Sequence, residues 1–277
     1  MVEMLVRLGA FAAVFAILVL LERLAPRRAA TSDRKRRWAG NLGLLAIDTA
    51  AVRIIAPGAA IAVAFAAQAS GWGLVNTLPL PGWIAFALSV ALLDLAIYLQ
   101  HVMFHAVPTL WRLHRVHHSD VDFDLTTGVR FHPIEIAVSV AIKSAAVAAI
   151  GASPAAVISF EILLNAASLF NHANLRMPHR LDALLRWLVV TPDMHRVHHS
   201  VRYNESSSNF GFCLPWWDRL CGTYRAQADQ PHETMTIGVD AFREADEERL
   251  DRLLTQPWRD TAGGYSINRR PEAGQGS

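Results

Sequence analysis

Charged residues are sparse through the first two thirds of the chain, and the gaps between them mark apolar stretches of bilayer length. Between Arg7 and Glu22 the sequence runs LGAFAAVFAILVLL, enough with its flanks to cross ~30 Å of hydrocarbon. Glu22, Arg23 and Leu24 follow in place of a small-x-small cleavage site, so this segment reads as an uncleaved anchor. No charge occurs between Arg53 and Asp94, and Gly71, Gly73, Asn76, Pro79, Pro81 and Gly82 divide that stretch. Such turn residues predict two helices, Asn41 to Gln68 and Trp83 to His105. Ile134 to Ile150 and Pro154 to His172 form a second apolar pair around Gly151-Ala152-Ser153. The first member is short for a full crossing, so the pair reads as a tilted or re-entrant hairpin. After Ser200 the chain turns polar. Asp240 to Leu254 predicts a short amphipathic helix, and Ala262 to Ser277 a Gly-rich, frayed tail.

Composition agrees with this pattern. Only 18% of the 277 residues are charged and 52% are hydrophobic, against roughly 25% charged for an average soluble domain. A disordered chain is excluded and an ordinary soluble enzyme is disfavoured. The net charge of +2 and the lack of a basic, aromatic-interleaved stripe argue against nucleic acid as a partner. Two cysteines, Cys213 and Cys221, make no disulfide framework. The unusual number is the histidines, 12 of them and mostly clustered.

Basic residues orient the spans, because Lys and Arg accumulate on the cytoplasmic side. Arg27, Arg28, Arg34, Lys35, Arg36 and Arg37 load the first loop, whereas the turns at 69–82 and 151–153 carry no charge. Residues 106–133 and 173–202 are Arg-rich. Every histidine cluster is therefore expected on the cytoplasmic face. The fold class that follows is all-α: a multi-span membrane helical bundle with a cytoplasmic histidine-box cap and a polar C-terminal tail.

The clusters are His101-Val-Met-Phe-His105, then His114-Arg-Val-His117-His118, then His195-Arg-Val-His198-His199. On a helix, i, i+3 and i+4 share a face, so the three imidazoles of each HRVHH string are expected to converge on one point. Eight imidazoles suffice for two metal ions with open positions. Imidazole suits iron, zinc and copper alike. The Glu-x-x-His signature of ferritin-like bundles and HExxH are both absent, and adjacent His-His pairs fit a bis-His haem poorly.

HxxxH followed by two HxxHH boxes on a multi-span chain resembles the fatty acid hydroxylase/sterol desaturase superfamily of non-haem di-iron membrane oxygenases. The resemblance covers His101 to Tyr224 best. It extends to Arg130-Phe-His132-Pro133-Ile-Glu135, Phe170-Asn-His172-Ala-Asn174, and Asn209-Phe-Gly211 leading to Trp217-Asp218-Arg219-Leu-Cys-Gly222-Thr-Tyr224. It implies two non-haem iron ions held by His101, His105, His114, His117, His118, His195, His198 and His199, with His172 as a ninth ligand. His132, Asp94 and Asn174 are further candidates. Three regions are implied: membrane helices over 1–82, a di-iron catalytic region over 83–225, and a partly disordered cytoplasmic segment over 226–277. The implied chemistry is O2-dependent hydroxylation or desaturation of a lipid substrate, acyl or sterol-like. No GxGxxG or cytochrome-like segment is present, so electrons must come from a separate donor protein. A non-enzymatic, histidine-rich membrane metal store or transporter is the competing class.

Three further expectations concern single residues. Asp94, seven residues before His101 on the same helix face, is read either as a functional intramembrane carboxylate or as an ion-pair partner of Arg53. His179 and His232 are expected in solvent, and Trp216-Trp217-Asp218-Arg219 as a packed loop capping the site. Finally, Lys143 and Glu161 each lie nine residues from Ala152. A tight turn there places both at one depth and predicts an ion pair across the hairpin.

Overall fold

In the computed structural model, which describes residues 2–260, regular structure is helical, with only two isolated β-bridges. In chain order the α-helices are α1 (Val2–Leu24), α2 (Arg34–Ile55), α3 (Ala59–Ser70), α4 (Leu74–Thr77), α5 (Gly82–Ala106), α6 (Pro108–His118), α7 (Pro133–Ile150), α8 (Pro154–Asn171), α9 (His179–Leu185), α10 (Pro192–His198), α11 (Tyr203–Ser206), α12 (Trp216–Cys221) and α13 (Leu250–Thr255). Five stretches are long and apolar enough to cross a membrane: Met4–Leu24, Arg34–Thr77, Gly82–Ala106, Pro133–Ile150 and Pro154–Asn171. The expected helix from Asn41 to Gln68 is broken. Pro57 disfavours helical backbone at the residue before it. Ala56 accordingly leaves the helical region, with φ −146° and ψ 59°, and Gly58 takes the left-handed φ of 65° that glycine tolerates.

Helices α1, α2, α5, α7 and α8 pack on one another. At one end Ala60, Ala64, Leu93, Val147, Ile150, Val157 and Phe160 make an apolar core. There the turn after α3 meets the turn between α7 and α8. Gly73 has a φ of 94°, and a Cβ on it would fall 2.3 Å from the Gly151 nitrogen, so the close approach requires both glycines. At the other end lie the connections carrying the histidines. Here α1 contributes Glu22, buried, which accepts the backbone N–H groups of Leu125 (2.8 Å) and Asn174 (2.7 Å).

The hairpin pair is present: Lys143 donates to Glu161. Arg7 of α1 donates to the other oxygen of the same carboxylate, making a three-helix junction. Glu161→Ala would take the carboxylate from both cations, whereas Lys143→Ala would leave the Arg7 bridge intact. Glu161→Ala is therefore expected to destabilise more, by roughly 2–4 kcal/mol. The Lys143→Ala/Glu161→Ala double variant should lose less than the sum of the two single losses. Thermal melts of the four proteins in detergent would measure this, and strict additivity would deny the coupling.

Residues 226–260 are folded against the bundle. Only the second half of the expected 240–254 helix forms: a 3₁₀ turn (Ala245–Glu248) precedes α13, with Arg249 extended between them. The break turns Glu248 inward to Arg130 and sets its carbonyl against Gly40 of α2. Met235 and Ile237 are buried with Phe123. The 262–277 tail lies outside the described residues.

Candidate metal centre

Each histidine box sits where a helix ends. HxxxH closes α5, the first HxxHH closes α6, and His195 to His199 close α10. Two buried arginines fasten these ends. Arg130 donates to the Val116 carbonyl (2.8 Å) and to Ser119 Oγ (3.0 Å) at the end of α6. Arg196, inside the last box, reaches the Ala173 carbonyl (3.2 Å) and lies over Phe123. Asp120, fully buried, accepts from Arg37 (3.0 Å) and Thr127 Oγ1 (2.8 Å). Burial alone would raise its carboxyl, but Arg37 and Arg130 beside it hold it below the usual range.

Nine histidines gather into two groups: His101, His105, His114, His118 and His198, and His117, His172, His195 and His199. Each HxxHH string is divided between the groups, so three rings of one string do not converge on one point. His114 and His118 enter the first group while His117 enters the second; His195 and His199 enter the second while His198 enters the first. The spacing accounts for this. Positions i and i+4 are ~40° apart on a helix and i+3 falls ~60° to the other side, so one string straddles two adjacent sites. The two strings straddle them in opposite senses.

The hydrogen bonds fix which nitrogens are bare. His101 Nδ1 faces the Phe210 carbonyl, His198 Nδ1 the Ser208 carbonyl and His172 Nδ1 the Ser168 carbonyl, each at 2.7 Å. A carbonyl only accepts, so each of these Nδ1 atoms carries the proton and a neutral ring leaves its Nε2 as a lone pair. Yet His101 and His198 meet Nε2 to Nε2 at 3.0 Å. His172 Nε2 stands 3.1 Å from Nε2 of His117, His195 and His199 alike. Lone pairs converging at these distances repel one another unless a cation lies between them. Protonation offers no escape. Burial, then neighbouring imidazoles, push His117, His118, His195, His198 and His199 well below the ordinary histidine value, and burial puts His114 and His172 at about 3. The donor set therefore fits two cations of the kind imidazole binds.

Glu135 was not assigned a role from sequence. Its Oε1 lies 2.6 Å from His114 Nδ1, the carboxylate–histidine contact that orients a metal-binding ring; its place beside His132-Pro133 was the available signal. The other candidates lie outside both groups. His132 caps α7, its Nδ1 accepting from Ile134 N–H at 3.2 Å, and its Nε2 faces the Leu254 carbonyl. Asn174 clasps the backbone of Arg28 through both ends of its amide. Asp94 does not pair with Arg53. It accepts from the backbone of Cys213 (3.2 Å) and Leu214 (3.1 Å) and from the Trp217 indole (2.9 Å). These contacts tie the 213–217 segment to α5, and Phe210 and Phe212 just before it pack on the rings of His101, His198 and His195. His179 is exposed as expected. His232 is instead buried, 3.9 Å from Asp193.

A cavity of about 470 Å³ reaches His101 and His114 from within the bundle, between Phe104, Phe131, Ile97 and Phe212. The profile of the family described as fatty acid hydroxylase matches residues 86–223. The chain belongs to the fatty acid hydroxylase superfamily. All nine grouped histidines lie inside the matched stretch. An ornithine lipid hydroxylase of Rhizobium tropici is 27% identical over 214 residues, 76% of this chain and 64% of that protein. The alkylglycerol monooxygenase of Xenopus tropicalis is 31% identical over 167 residues, 59% of this chain and 35% of that protein. Its human counterpart is 29% identical over 150 residues, 54% and 32% respectively. The chain thus spans less than two thirds of the length of the first relative and about a third of the other two. No solved structure matches it. In this superfamily member α1 to α4 precede the matched stretch, yet Glu22 of α1 and Arg37 of α2 fasten the connections between its histidine boxes.

Proposed function

We propose that this protein is a membrane lipid hydroxylase that holds two non-haem iron ions, one in each imidazole group, and uses O2 and electrons from a separate donor protein. The observation that carries this reading is the convergence of bare Nε2 atoms beside a cavity that His101 and His114 line. Iron bound there supplies dioxygen reduction for the insertion of one oxygen atom into an aliphatic C–H bond. The chain's own share is geometric. Glu135 and the carbonyls of Phe210, Ser208 and Ser168 hold four rings with their Nε2 atoms aimed inward. Phe210 and Phe212 cover the rings and exclude water, and the cavity aims a chain at His101 and His114.

The names of the relatives, a lipid hydroxylase and monooxygenases, favour hydroxylation over desaturation. The Arg-rich loops favour a cytoplasmic histidine cap, where a donor protein would dock. Residues 83–225 are the catalytic region, 1–82 add membrane helices to it, and 226–260 brace it from outside. Metal transport is the weaker reading, because a transport path places its ligands near the bilayer midplane, and these lie at helix ends.

Lipid extracts from cells with and without the gene, compared by mass, test the proposal. A lipid species gaining one oxygen atom only when the protein is present is the expected result. Identical lipid profiles in a host that supplies iron and reductant would reject it.

A further inference from the structure

The large cavity does not end in an apolar wall. A second cavity adjoins it, and both are bordered by Arg7, Val52, Arg53, Val140, Lys143 and Glu161. At this junction four helices each place one charged side chain: Arg7 on α1, Arg53 on α2, Lys143 on α7 and Glu161 on α8. Glu161 takes both Lys143 and Arg7. Among the described residues, three cations thus share a border with one carboxylate. Ionisable groups within apolar helices are costly and point to a functional site by default.

The histidine end of the large cavity has no Lys or Arg among its described lining residues and instead presents two carboxyl groups. Asp48 and Glu135, both buried, line it near His114, and each has an oxygen without a hydrogen-bond partner. The distance between the ends follows from the helices that line it. Glu135 and Lys143 on α7, and Leu45 and Arg53 on α2, are both eight residues apart, or ~12 Å at 1.5 Å per residue. An extended hydrocarbon chain with C–C bonds of ~1.5 Å covers that length with about ten carbons.

We infer that the Arg7–Arg53–Lys143 junction is a head-group subsite for an amphiphile with an anionic head, carboxylate or phosphate, whose single chain runs down the cavity to the histidine end. All three Lys and Arg side chains among the described lining residues stand at the junction, which holds the head there and sends the chain toward the histidines. This rests on the hydroxylase reading for its chemistry but not for its binding: the chain would be oxidised about ten carbons from the head group, whereas recognition requires no turnover.

Arg53 is the residue to change, because it stands outside the Glu161 bridge and its guanidinium reaches Met4 Sδ at 3.7 Å. Equilibrium binding to the purified full-length protein in a neutral detergent would use radiolabelled hexadecyl phosphate, hexadecanoate and hexadecanol. The anionic probes are expected to bind about tenfold tighter than the alcohol, the scale of one charge-assisted contact. Arg53→Gln should lose about that factor for the anions and leave hexadecanol unchanged, while Arg53→Lys keeps the preference. A tighter phosphate assigns a phosphorylated head, and a tighter carboxylate assigns a free acid. Equal binding of all three probes, or an Arg53→Gln loss that is the same for alcohol and anions, would overturn the subsite. Preserved discrimination without any oxidised product would reject the hydroxylase reading and leave the subsite standing.

Discussion

Replacing His118 or His199 by alanine is expected to abolish lipid oxidation while the protein still inserts into the membrane. The two residues belong to different imidazole groups, so each variant empties one site of a donor that no neighbour can replace. Removing an outer partner of a metal-binding histidine typically costs 10–100-fold; removing the ring itself should cost at least about 100-fold. Oxidised product per milligram of membrane protein measures the effect, with metal content as the second readout. His179→Ala, at an exposed position, should leave both unchanged. His232→Ala should cost about 1 kcal/mol of stability, since this ring is buried against Asp193, with activity per folded molecule unaffected. Wild-type turnover in either box variant would place the chemistry elsewhere.

Asp218→Ala is the second large expected effect, although the residue touches no imidazole. Its carboxylate accepts the backbone N–H groups of Phe210 and Gly211, each at 2.8 Å, and the Thr223 hydroxyl at 2.7 Å. Phe210 in turn offers its carbonyl to His101 Nδ1. Alanine would leave two buried N–H groups without acceptors, at roughly 2–4 kcal/mol, and free the loop that orients His101. Metal affinity should fall about 10–100-fold. Asp218→Asn, which keeps one carbonyl oxygen, should fall between. Melting curves and competition with a chelator separate the two consequences. A variant that melts early but holds metal as tightly as the parent would show that Asp218 only braces the fold.

Much of this arrangement was legible in the residues, for physical reasons. Spans show in the sequence because a charge in hydrocarbon is too costly to scatter, and the Lys143–Glu161 pair because equal distance from a turn means equal depth. The histidines show because close i, i+3, i+4 spacing is rare by accident. Which rings of the two HxxHH strings share a site was not legible. It depends on how α6 and α10 meet, which sets His118 beside His198 and His117 beside His199. Asp94 was read as either a functional carboxylate or a partner of Arg53, and its partners, the Cys213 and Leu214 N–H groups and the Trp217 indole, carry no charge to signal them. The break at Pro57-Gly58 was written in the sequence and outweighed by the apolar run around it. The role of 240–260 was hidden for a similar reason: Gly40 and Gly43 read as ordinary small helix residues until Glu248 and Leu250 are seen lying against them.

The most direct test of two imidazole-lined sites is the transition-metal content of the purified protein after mild extraction, measured together with its absorption spectrum. About two ions per chain without haem absorption are expected, with iron the ion that supports turnover. Overexpression can put zinc in place of iron without contradicting the sites, because imidazole accepts both. A single haem, or a protein that retains no metal when gently extracted, would contradict the paired centre.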